Sequence, residues 1–183
     1  MVPTELELKK RRTRKDYAFH LEYRTRWSDN DMYAHLNNSV YAFLIDSIVN
    51  TYLINNCGLD PFSARSSSPS PSPPSPSPAH SQIGLVVSSY CDYFASVSFP
   101  DILDLGLRVV KLGSSSVMYE VGIFRRGEET VKAVGGFTHV FVEKEGMRPA
   151  DGSGGKKGMD EGIRRGLERL VMKEGTGPGP AKL

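Results

Sequence analysis

Hydrophobic and polar positions change their spacing along the chain in a way that divides it into elements. From about Ala18 to Trp27 the apolar residues Phe19, Leu21 and Tyr23 fall at every second position, which predicts a first strand. A long apolar stretch follows from about Asn38 to Asn56 and stops at Cys57-Gly58, with Gly58 suited to cap a helix C-terminus. Its apolar residues (Val40, Tyr41, Phe43, Leu44, Ile45, Ile48 and onward to Ile54) cover most of the circumference, so this helix is expected to be enclosed by other elements. Beyond it the period becomes two. Ile83 to about Ala95 is rich in strand formers, and Leu103, Leu105, Leu107 and Val109 alternate with Asp104, Gly106, Arg108 and Val110. Val117 to Ile123 alternates again after a Gly113-Ser114 turn. Val131 to Val142 then forms a last long strand, after the Arg126-Gly127-Glu128-Glu129 turn. Short turns between consecutive strands predict an antiparallel meander, and Gly135-Gly136 predicts a bend or a close backbone approach. Ile163, Leu167, Leu170 and Val171 predict a short amphipathic helix from Met159 to about Lys173, in a C-terminal segment 159–175.

The remaining stretches set the limits of the domain. Residues 1–15 are polar and end in the basic run Lys9 to Lys15, which reads as a solvated, disordered arm with a phosphate-facing patch or an import signal as alternatives. Residues 16–148 form one domain, interrupted at 60–81 by a Ser/Pro-rich insertion that has neither the donors nor the apolar residues for a packed element. A Gly-rich linker is expected over 149–158. With 183 residues and a net charge of +2, charge gives no argument for nucleic acid. Cys57 and Cys91 are too few for a disulfide framework or a zinc site. No apolar run approaches the ~20 residues of a spanning helix. The expectation is a soluble intracellular protein, cytoplasmic or in the mitochondrial matrix, with no membrane span.

The chemistry concentrates in Arg26-Trp27-Ser28-Asp29-Asn30-Asp31-Met32-Tyr33-Ala34-His35-Leu36-Asn37-Asn38-Ser39-Val40-Tyr41, between the first strand and the long helix. Asn37 or Asn38 is placed to cap the helix. Asp29, Asp31 and His35 therefore stand beside a helix N-terminus, where backbone donors and the dipole favour developing negative charge. A carboxylate with N–H donors for an oxyanion suits acyl transfer. Asp29 reads as structural, closing the loop through an Asx-type turn. His35 is either a loop organiser or a donor near the acyl carbonyl. Asp29, Asp31 and His35 lack the spacing of a recognised metal loop, so no metal and no cofactor is expected.

The motif Asp29-x-Asp31-Met32-Tyr33-x-His35-x-Asn37-Asn38-x-x-Tyr41 resembles the signature of the 4-hydroxybenzoyl-CoA-thioesterase-like acyl-CoA thioesterases. The order strand, long helix, four strands resembles the hotdog fold, an α+β domain whose antiparallel sheet wraps around a central helix. Ala34 departs from the family, which commonly has glycine before the histidine. The resemblance implies an acyl-CoA substrate and a catalytic Asp31, as nucleophile or general base. It also implies an oxyanion donor at the N–H of Asn38 and a supporting role for His35. Tyr33, Asn37 and Tyr41 are the candidate substrate contacts, with core packing as the competing role for Tyr41 and capping for Asn37. The helix face and its neighbouring strands are expected to line an acyl tunnel. A homodimer or tetramer is implied, with sheets joined edge to edge and each site between subunits. Two other readings stand beside hydrolysis: a hotdog hydratase or dehydratase, and a non-catalytic module that binds an acyl thioester.

Overall fold

A computed structural model describes residues 2–59, 82–148 and 158–172. The expected Ser/Pro-rich insertion and most of the expected Gly-rich linker lie outside the described residues. Five antiparallel strands, β1 (Phe19–Arg24), β2 (Gln82–Tyr93), β3 (Ile102–Leu112), β4 (Ser116–Arg125) and β5 (Val131–Glu143), form one sheet in the order β1-β3-β4-β5-β2. The sheet curls around one long helix, the arrangement expected for the hotdog fold. The helices are α1 (Glu5–Lys10), α2 (Asn38–Cys57) and α3 (Glu161–Glu168).

Only β3, β4 and β5 are the expected meander. β2 pairs with β5 at one edge of the sheet rather than with β3, the next strand in sequence. Residues 94–101 therefore cross from that edge to β3, and on the way they brace the loop before α2. Leu36 donates its N–H to the Val97 carbonyl at 2.8 Å, and Thr25 donates its hydroxyl to the Ser98 carbonyl at 3.0 Å.

α2 begins and ends as its sequence dictates. The Asn37 side chain accepts from the Ser39 N–H at 3.0 Å, and Gly58 takes the left-handed conformation at φ 69°. Within this chain, however, α2 is enclosed on one side only. Leu44, Ile48, Val49 and Leu53 are sealed against the sheet, while Ala42, Phe43, Asp46 and Ser47 are exposed. Gly135 allows the close approach expected of it: a Cβ there would lie 2.5 Å from Ile45 Cδ1. α3 is shorter than expected. It covers the far end of α2, burying Ile163 and Leu167, and Tyr52 donates its hydroxyl to the Gly166 carbonyl at 2.7 Å.

The expected disordered arm is instead a structured strap across the outer face of the sheet. Thr4 and Glu7 form a reciprocal cap on α1. Lys9 pairs with Asp92 at 2.9 Å, Arg12 with Glu120 at 3.1 Å and Arg14 with Asp104 at 3.2 Å. Tyr17 lies across Gly106 and Gly122, where a side chain would collide with its ring. The arm is ordered because its cations meet carboxylates on the sheet, of which Glu120 is buried and also receives Arg108 and the Tyr17 hydroxyl. Of the basic run, Lys10, Arg11 and Lys15 stay exposed without joining these pairs.

Candidate active site

The loop from β1 to α2 is held at both ends by Asp29. Its buried carboxylate accepts from the Tyr23 hydroxyl at 2.8 Å and from the Arg26 N–H at 2.7 Å, and its carbonyl accepts from the Asn37 N–H at 2.8 Å. The role is structural, as expected, but the contact runs back to Arg26 across a 3-10 turn (Trp27–Asp29) rather than forward as an Asx-type turn. Tyr23 is the anchor that sequence reasoning missed: its place in the strand pattern does not say what its hydroxyl meets.

Asp31 makes the forward turn instead. Its Oδ1 accepts from Tyr33 N–H at 2.8 Å and His35 N–H at 3.0 Å, while its own N–H donates to the His35 carbonyl at 2.7 Å. Among the described residues Oδ2 receives no hydrogen bond, and the side chain is half-buried. His35 organises the loop through its backbone, and its exposed ring has no hydrogen-bond partner among the described residues. Tyr33 is exposed as well.

The tight path from Asp31 to His35 forces Ala34 to φ 60°, the left-handed region that costs a residue with a Cβ roughly 1–2 kcal/mol. Ala34→Gly is therefore expected to stabilise the protein by about 1 kcal/mol, net of glycine's larger unfolded-state entropy. Urea denaturation checks this, and a lower midpoint for the variant would contradict it.

At the start of α2 the N–H groups are already divided. Ser39 N–H goes to the Asn37 side chain and Val40 N–H to the Asn37 carbonyl at 2.9 Å, whereas Asn38 N–H has no acceptor among the described residues. Asn37 is thus a cap. Asn38 stands at the rim of a cavity of about 320 Å³ between the first half of α2 and strands β2 and β5, walled by Ala42, Ile45, Cys91, Tyr93 and Phe137. Tyr41 is not in that wall. It is buried in the core with its ring edge-on to Tyr93 at 4.9 Å, and burial pushes its hydroxyl up to about 12. Nor do Asp31, Tyr33, His35 or Asn37 line the cavity within this chain. Of the six candidates, the structure brings Asn38 alone to it. Of the acyl tunnel expected between the helix face and its neighbouring strands, the described residues show this cavity, with Leu44, Ile48 and Val49 buried on the sheet side of α2. The walls from β2 were not readable in advance, because only the non-local pairing of β2 with β5 carries Cys91 and Tyr93 to the helix.

A model of the thioesterase superfamily matches residues 33–132, more than half of the chain. The chain belongs to the thioesterase superfamily. This thioesterase-superfamily chain is 40% identical to the PA5185 protein from Pseudomonas aeruginosa strain PAO1; the alignment covers 87% of this chain and 95% of that one, with a TM-score of 0.71. A thioesterase from Thermus thermophilus, solved with coenzyme A and Zn, is 22% identical, with coverage of 85% and 96% and a TM-score of 0.60. The 1,4-dihydroxy-2-naphthoyl-CoA thioesterase Slr0204 from Synechocystis is 13% identical, with coverage of 83% and 96% and a TM-score of 0.65. At these lower identities the likeness is one of fold. No curated protein matches the chain. Among the described residues no helix is long and apolar enough to cross a membrane.

Proposed function

We propose that this protein hydrolyses acyl-CoA thioesters to a free acid and coenzyme A. The observation that carries the reading is the Asn38 N–H: the first donor of α2 lacks an acceptor among the described residues, and its residue borders a cavity beside the loop that holds Asp31. An amide at a helix N-terminus stabilises the negative charge that grows on a thioester carbonyl oxygen during attack. Asp31 supplies the carboxylate through Oδ2, as nucleophile or as base for water, while Oδ1 keeps the loop in shape.

The complete site lies between two copies of the chain. β2 is a twelve-residue strand with exposed Leu85, Val86 and Val87, its outer edge is unpaired among the described residues, and an edge of that length is a template for a second copy. Joining two sheets there adds a partner's surface to the open side of the cavity and to the exposed Asp31 loop. The test is release of free coenzyme A thiol, titrated with a chromogenic disulfide. Turnover of acyl-CoA is expected. Water addition to an enoyl-CoA without thiol release would assign a hydratase, and binding with neither would assign a carrier module.

A further inference from the structure

We infer that the acyl group taken by this site is compact, a short chain or a single ring, with Ile45 and Phe137 as the residues that set its limit. This rests on the thioesterase reading above and narrows its substrate. The part of the site that one chain forms, the cavity beside Asn38, holds about 320 Å³, within the ~300–1,000 Å³ found for small-molecule pockets. Its floor is closed. Ile45 and Phe137 are both buried, and Ile45 Cδ1 presses so closely on β5 that Gly135 has no room for a side chain. On the sheet side of α2, Leu44, Ile48 and Val49 are buried, and among the described residues they pack across the path that a tail would take along the helix.

The far end is closed independently. α3 buries Ile163 and Leu167 there, and a Cβ on Gly166 would come within 2.3 Å of Cys57 Sγ. A long acyl chain following the buried face of α2 from Asn38 would have to displace close-packed core side chains, and that strain offsets what its burial returns. The walls suit a compact group with some polarity: Ser89, Cys91 and Tyr93 on β2 and Phe137 on β5 line the space from the sheet, and Ala42 lines it from the helix.

The experiment is thiol release measured as kcat/KM over acetyl-, butanoyl-, hexanoyl-, benzoyl-, dodecanoyl- and hexadecanoyl-CoA. The wild type is expected to fall by roughly tenfold or more from its best compact substrate to dodecanoyl-CoA. Ile45→Ala is expected to raise the dodecanoyl-to-hexanoyl ratio by roughly tenfold, from the room that the lost methylenes leave. Ile45→Val and Phe137→Leu carry the same test in milder form, with circular dichroism confirming the fold of each. The benzoyl and hexanoyl arms separate a ring from a chain as the preferred compact group. Efficient cleavage of hexadecanoyl-CoA by the wild type would overturn the compact pocket and leave the thioesterase reading standing. A chain-length profile unchanged in folded variants would overturn the assignment to Ile45 and Phe137. Absence of thiol release from the whole series would remove the thioesterase reading, and this inference with it.

Discussion

Asp31→Asn is expected to lower kcat by about 10²–10⁴-fold, the range that a positioned carboxylate contributes as base, while leaving the fold intact. The two oxygens of Asp31 have separate duties, and this makes the substitution clean. Asparagine keeps an Oδ1 that accepts from Tyr33 and His35 N–H, at 2.8 and 3.0 Å in the parent, so the loop retains its turn. The amide nitrogen replaces Oδ2, which has no hydrogen-bond partner among the described residues, and no internal bond is lost. Asp31→Ala would remove both duties and confuse stability with activity. Thiol-release kinetics beside a urea titration separate them: equal midpoints with a collapsed kcat fit the assignment, and near-parental turnover would discredit it.

Acid is expected to destabilise the protein by about 3 kcal/mol through His139 alone. His139 is buried on β5 among the rings of Tyr119, Phe137 and Phe141, with no acceptor for Nδ1 among the described residues. Desolvation opposes its charged form and lowers its pKa from 6.5 to about 4. A base held neutral in the fold binds fewer protons than the same base in the unfolded chain. The stability it permits is therefore complete above about pH 6.5 and is lost progressively as the pH falls to about 4. His139→Leu removes that dependence. Denaturation from pH 7 to 4 should show the wild type and the variant diverging in slope, whereas parallel curves would show that His139 does not titrate in this way.

How much of this was legible depends on whether each signal is local. The cap at Asn37, the left-handed Gly58 and the strands β3 and β4 are written in neighbouring residues, and the structure has them in place, although the strap over the outer face buries both sides of β4 from Tyr119 to Phe124. The position of β2 is not, because nothing in Gln82–Tyr93 says that its partner is β5, and with it goes the identity of the cavity wall. α2 poses a related problem. Being apolar on nearly every side, its sequence does not say whether Tyr41 or Ala42 faces the cavity, and packing gives the position to Ala42.

The strap of residues 2–17 escaped sequence reasoning for a different reason. Thr4-x-x-Glu7 and Thr13-x-x-Asp16 are capping signatures in plain view, yet the polarity of the arm outweighed them. The carboxylates that hold it come from distant strands. Ala34 was a fair warning in the motif itself, and the backbone there adopts the strained conformation that glycine would relieve.

The arrangement of thioester carbonyl, Asn38 N–H and Asp31 carboxylate is seen most plainly in a crystal of the protein with a non-hydrolysable ketone analogue of a short acyl-CoA. The analogue's carbonyl oxygen is expected about 2.7–3.1 Å from Asn38 N and its carbon about 3–3.5 Å from Asp31 Oδ2, or one water away from it. A carbonyl held by other donors, with Asp31 Oδ2 beyond the reach of a single bridging water, would contradict it.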